Sequence, residues 1–225
     1  MPIESRSIED VVRGIKKSNY EIQTESRLAY SGLHFGNEDP ALDYVERAVS
    51  TSYALTEIYS FLLEHLTQNR AWLTGVVGLP EETARGVAYH AGLAELLLVR
   101  RYAAKLAYEL DFFEDPLEEG RNRELYASTL SAATQFVYAP QNYLNDMDPG
   151  YYSADYLRAW ITEAMLRRHL EDAYGEDWFA QPEAGELLRG LWATGASKEN
   201  EEVASMIGYE PFDTSFLVEQ FLGLK

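Results

Sequence analysis

The chain has 225 residues, 46% of them hydrophobic, and a formal net charge of -18 from 37 acidic and 19 basic side chains. That length and apolar content suffice for one helical domain with a sizeable core, while the charge repels polyanions and argues against nucleic acid or an anionic membrane surface as partner. Cysteine is absent, which excludes disulfides, thiolate metal sites and cysteine nucleophiles and fits a reducing, cytoplasmic setting.

The N-terminus has no basic region followed by an apolar run, so no signal peptide is expected. Ser7 opens the first predicted helix with Asp10 as its capping-box partner, and the helix runs to about Tyr30 and ends near Gly32. Asp39 followed by Pro40 reads as an N-cap with proline at the first helical position. From there Val45, Val49, Leu55, Ile58, Phe61, Leu62 and Leu66 keep a helical period to about Gln68. Pro80 with Glu81 and Glu82 starts a long helix to about Asp111, with Gly86 and Gly92 as candidate breaks. Its most apolar stretch, Val87 to Leu98, carries His90 and Glu95, and no stretch approaches the roughly 20 apolar residues that span a bilayer.

Arg121 to Val137 is the next predicted helix, and 139–150 (APQNYLNDMDPG) is dense in turn formers and reads as an ordered loop. Ser153 is positioned to cap a helix reaching Tyr174, which Gly175 stops. Three short helices follow, from Pro182 to Ala193, Lys198 to Ile207 and Thr214 to Leu222. Gly195 and Gly208 are the predicted stops and Asp213 the predicted N-cap of the last helix. No segment alternates with period two, so the fold class is all-α, a multi-helix bundle, with 1–225 as a single helical domain.

A helical zinc peptidase needs two histidines one turn apart and a glutamate beside the first as general base. The four histidines are followed by Phe35, Leu66, Ala91 and Leu170, and no two are four apart, so the HExxH pattern is absent. Neither a G-x-S-x-G elbow nor a phosphate loop occurs, and acid pairs such as Glu81-Glu82 and Glu201-Glu202 sit where helix starts favour them. The 16 tyrosines concentrate around Tyr138, Tyr143, Tyr151, Tyr152 and Tyr156. Their ordinary role is packing with a hydrogen-bonded hydroxyl; their functional role would be a cleft of phenols donating to a substrate carbonyl.

The segment DPGYYSADYLRAW, Asp148 to Trp160, resembles the tyrosine-rich stretch of the thimet oligopeptidase and oligoendopeptidase F zinc peptidases, which are gluzincins. TEIYSFLLEHLTQNRAWL, Thr56 to Leu73, resembles their second metal-site helix, and GEDWFAQPEAGELLRGLWATGAS resembles their closing helices. The resemblance covers most of the chain from about His34 onward. It implies a C-terminal catalytic-domain scaffold in two regions, an N-terminal helix with the motif region over 1–33 and a helical core over 34–225. It also implies Glu57 at the third zinc-ligand position, with Tyr152 and Tyr156 facing that helix. Family members are longer, and their additional N-terminal portion would form the other wall of a substrate cleft.

Where these relatives read like HEAGHALHF, this chain reads RLAYSGLHF. Arg27 stands at the first zinc histidine, Leu28 at the general base and Ser31 at the second histidine. One glutamate does not hold zinc, and without the base nothing activates water. The expectation is therefore a pseudoenzyme without metal or other cofactor: a non-catalytic relative that binds peptides or serves as a self-associating scaffold. A second reading is an active zinc peptidase whose relocated site uses Glu57 with His34 or His90. A third is a helical interaction module without a small ligand. Arg158 is a candidate partner for Glu57 in a vacated metal site, and a homodimer is the expected assembly.

Overall fold

The computed structural model of the chain describes Asp43 and residues 53–224. Every regular element among the described residues is helical, which makes the fold all-α. The α-helices are α1 (Tyr53–Glu64), α2 (Arg70–Gly75), α3 (Glu81–Glu114), α4 (Glu119–Thr134), α5 (Tyr152–Tyr174), α6 (Pro182–Trp192), α7 (Asn200–Met206) and α8 (Ser215–Leu222). No helix among the described residues is long and apolar enough to cross a membrane. The described chain falls into two compact units, one holding 94–158 and the other the residues up to Leu93 and from Ala159 onward.

The larger unit grows from the stripe on α1, where Leu55, Ile58 and Leu62 were predicted and Tyr59 was not, and where the predicted Phe61 is only partly buried. Leu55, Ile58, Tyr59 and Leu62 recur at the spacing of one helical face, and all are 1% exposed or less. They join Leu66, Trp72, Leu73, Ala84, Val87, Met165, Leu166 and Leu170 in one buried cluster, with Leu188, Leu191 and Val203 from the closing helices. Phe61 stacks flat on Trp160, ring centroids 4.7 Å apart. The smaller unit is built on aromatic side chains. Tyr108, Phe112, Tyr126 and Leu130 form its core, with Tyr138 and Tyr143 packed against them.

Predicted and observed boundaries differ where a cap decides the matter. The expected helix ends at Glu64 and tightens into a 3-10 turn, His65–Gln68. Asn69 then accepts from the Trp72 amide at 2.8 Å and starts α2, which no periodicity announced. Gly86 and Gly92 leave α3 unbroken. Helix α4 stops at Thr134 because Gln135 adopts a left-handed conformation, φ 64°. Ser153 lies inside α5 rather than at its cap. Glu199 and Glu202 form the capping box of α7, and Asp213 accepts from Ser215 at 2.9 Å while Thr214 holds the N-cap position of α8. The expected helices over 7–30 and from Pro40 lie outside the described residues except for the part within α1.

Candidate functional site

The predicted loop is a strap, 139–150, between α4 and α5. Its turn formers act as their chemistry requires: Pro140 opens a 3-10 turn, Pro140–Asn142, and Pro149 opens a second, Pro149–Tyr151. Gly150 (φ 70°) and Tyr151 (φ 57°) are both left-handed. Two such residues in succession turn the chain sharply into α5, and the second carries a bulky side chain in a conformation that costs about 1–2 kcal/mol. Surrounding contacts must hold it there.

The strap is held from one face of α3 and from α4. Arg101, Lys105 and Glu109 are spaced i, i+4, i+8 and so lie in a row. Arg101 pairs with Asp146. Lys105, 3% exposed, places Nζ 2.5 Å from Asp148 Oδ2 and 3.9 Å from Glu109 Oε1. Glu109, fully buried, accepts the Asp148 amide at 3.3 Å. The phenol of Tyr108 donates to the Tyr143 carbonyl at 2.8 Å, and that of Tyr126 to Asp146 Oδ2 at 3.1 Å. The Arg123 guanidinium lies over the Tyr143 ring, 4.9 Å from its centroid.

Burial raises the Glu109 carboxyl above its ordinary value, against the opposing pull of the Asp148 amide and Lys105. It also pushes the Tyr108 phenol up to about 12 and raises that of Tyr126, so both remain neutral hydrogen-bond donors at neutral pH. A row of phenols adjoins this polar set. Tyr152 and Tyr156 meet edge to face with centroids 4.7 Å apart, and Tyr102 contacts Tyr156 at 4.8 Å. Burial raises the Tyr102 phenol as well. All three rings are half-buried.

Tyr152 and Tyr156 are thus neighbours one turn apart on α5. Glu57 lies on α1, half-buried between the fully buried Thr56 and Ile58. Arg158 pairs with Asp155, 3.3 Å away on its own helix. His90 is exposed on α3. Arg27, Leu28, Ser31 and His34 lie outside the described residues.

Elsewhere in the larger unit, His65 and the fully buried Glu163 bring potential metal-ligand atoms within 4.8 Å of one another. Arg167 Nε holds Glu163 Oε1 at 3.0 Å, and Arg167 Nη2 reaches Gln220 at 2.5 Å. His65 lines a polar cleft of about 490 Å³ with Gln68, Arg70, Glu81, Glu171 and Glu176. A neutral imidazole and a carboxylate are both zinc-ligand types, but this pair is distinct from the position the resemblance assigns to zinc.

Sequence reasoning missed Arg101, Lys105, Glu109, Asp146 and Asp148. The i, i+4, i+8 spacing on α3 was readable; what it faced was not. No family model, curated protein or solved structure matches the chain.

Proposed function

We propose that this chain is a non-catalytic, cytoplasmic relative of the thimet oligopeptidase and oligoendopeptidase F peptidases, one that holds peptides without cutting them. The observation that carries the reading is the row Tyr102, Tyr156 and Tyr152, phenols on α3 and α5 beside a strap fixed by buried polar contacts. Preorganised phenols donate to carbonyl oxygens with little ordering cost, and a peptide backbone presents such oxygens at regular intervals. The order of Glu57 on a helix, the turn-rich strap and the tyrosine helix is the order the resemblance implies. Arg27, Leu28 and Ser31 in place of the two histidines and the base leave the chemistry without metal or nucleophile.

Fluorescence anisotropy with labelled peptides of varied sequence tests this. Tyr152→Phe and Tyr156→Phe keep the rings and remove the hydroxyls, so each should weaken binding by about fivefold or more. Binding unchanged in the double variant, or absent in the native chain, would remove the phenols from the account.

A further inference from the structure

We infer that Arg101 and Lys105 are positioning residues: with Asp146 and Asp148 they form a two-point latch that fixes the strap 139–150 to α3 and sets the left-handed turn feeding Tyr152 into α5. Its use in peptide holding rests on the function proposed above; the latch itself does not.

The strap is 12 residues long and contributes few apolar anchors of its own. Tyr143 and Met147 are half-buried against the aromatic cluster, whereas Leu144 is 52% exposed. Polar bonds supply the remaining hold: the Tyr108 phenol donates to the Tyr143 carbonyl, and the charged contacts converge on two residues. Asp146 receives Arg101 and the Tyr126 phenol. Asp148 receives Lys105 through its carboxylate and gives its amide to Glu109. Asp148 directly precedes Pro149, and the turn at Gly150 and Tyr151 follows at once. The second latch point therefore sits at the base of a sharp turn whose geometry opposes the preference of a tyrosine backbone.

Lys105 gives the latch its directional character. A lysine 3% exposed is stable only while its charge is matched, and the nearest match is a carboxylate on the strap. If the strap lifts, Lys105 keeps Glu109, whose oxygen is 3.9 Å away, and the face of the Tyr102 ring, 5.8 Å away. Opening therefore exposes or strands a buried cation, and the closed state is favoured by the avoidance of that state as well as by the contact itself. The row on α3 thus sets the position of a loop that follows it by about forty residues.

Amide hydrogen exchange on the full chain tests the latch, with the Asp148 amide as direct reporter and the amides of Asn145 and Asp146 beside it. Lys105→Met and Arg101→Met should each speed strap exchange about tenfold or more while the α4 amides keep their native rates. Arg101→Lys should recover most of the protection, because it restores the charge. Arg101 and Asp146 have side chains only 24% and 20% exposed but not fully enclosed, so Arg101→Met and Asp146→Asn decide the matter should Lys105→Met fail to fold. Strap exchange at native rates in these variants, or an equal rise throughout α4, overturns the latch. Peptide binding measured on the same samples separates the two proposals. Faster strap exchange in a chain that binds no peptide leaves the latch standing and rejects the peptide reading. Peptide binding with unaltered strap exchange does the reverse.

Discussion

The backbone amide of Asp148 donates to Glu109 at 3.3 Å, joining a strap residue to a carboxyl that is fully buried on α3. Burial raises that carboxyl above its ordinary 4.5, so the folded chain binds its proton more readily than the unfolded chain does. Its contribution to stability is fully present below pH 4.5 and is lost as pH rises through the higher folded value. Glu109→Gln keeps an oxygen for the Asp148 amide and cannot ionise. Denaturant unfolding of both forms from pH 4 to 7 should show the variant gaining on the native chain as pH rises. A constant difference across that range would mean that Glu109 titrates alike in both states.

Asn122 supports the start of α4, where Glu118 gives no side-chain cap. It is fully buried, donates to the Asp115 carbonyl at 2.9 Å and accepts from Arg121 at 3.1 Å. Asn122→Ala leaves that carbonyl without this donor, so unfolding free energy should fall by about 1–3 kcal/mol. A loss below about 0.5 kcal/mol would show that the bond is replaced at no net cost.

The all-α fold was legible because each long segment repeats apolar residues at helical spacing between recognisable stops. Leu55, Ile58 and Leu62 show this on α1, and the glycine after Tyr174, at φ 88°, ends α5 as expected. Helix α2 was not legible, since its start depends on one Asn69 side chain turning back to the Trp72 amide. Tyr152 and Tyr156 were singled out by the resemblance; their edge-to-face contact, one turn apart on α5, is what the structure adds. The latch was not legible, because Lys105 and Asp148 are 43 positions apart and long-range charge pairing leaves no local pattern.

Zinc content distinguishes two places where metal would bind. The account predicts less than one equivalent of zinc after purification, because Arg27 and Ser31 stand where the proposed relationship would place the two zinc histidines. Should zinc be present, its loss on Glu57→Ala would assign it to the ligand position that the resemblance implies and contradict the account. Loss on His65→Ala alone would assign it to the His65 and Glu163 pair.

Self-association is the expected assembly. Phe136 and Val137, adjacent in the chain just after α4, are 59% and 98% exposed. Apolar side chains of this size gain by meeting a partner, and one self-complementary patch serves two copies at once. Light scattering at micromolar concentration should give about twice 25.6 kDa. A mass near 25.6 kDa would reject the dimer.

The most direct measurement of the central claim is equilibrium dialysis of a peptide mixture against the native chain in zinc-supplemented buffer, with mass spectrometry of everything recovered. The account predicts that a subset of peptides is retained with the protein, that Tyr152→Phe with Tyr156→Phe reduces the retention, and that every retained peptide is recovered at its original mass. Cleavage products that accumulate with the native chain and disappear with Glu57→Ala would contradict it, and would make this chain a working metallopeptidase.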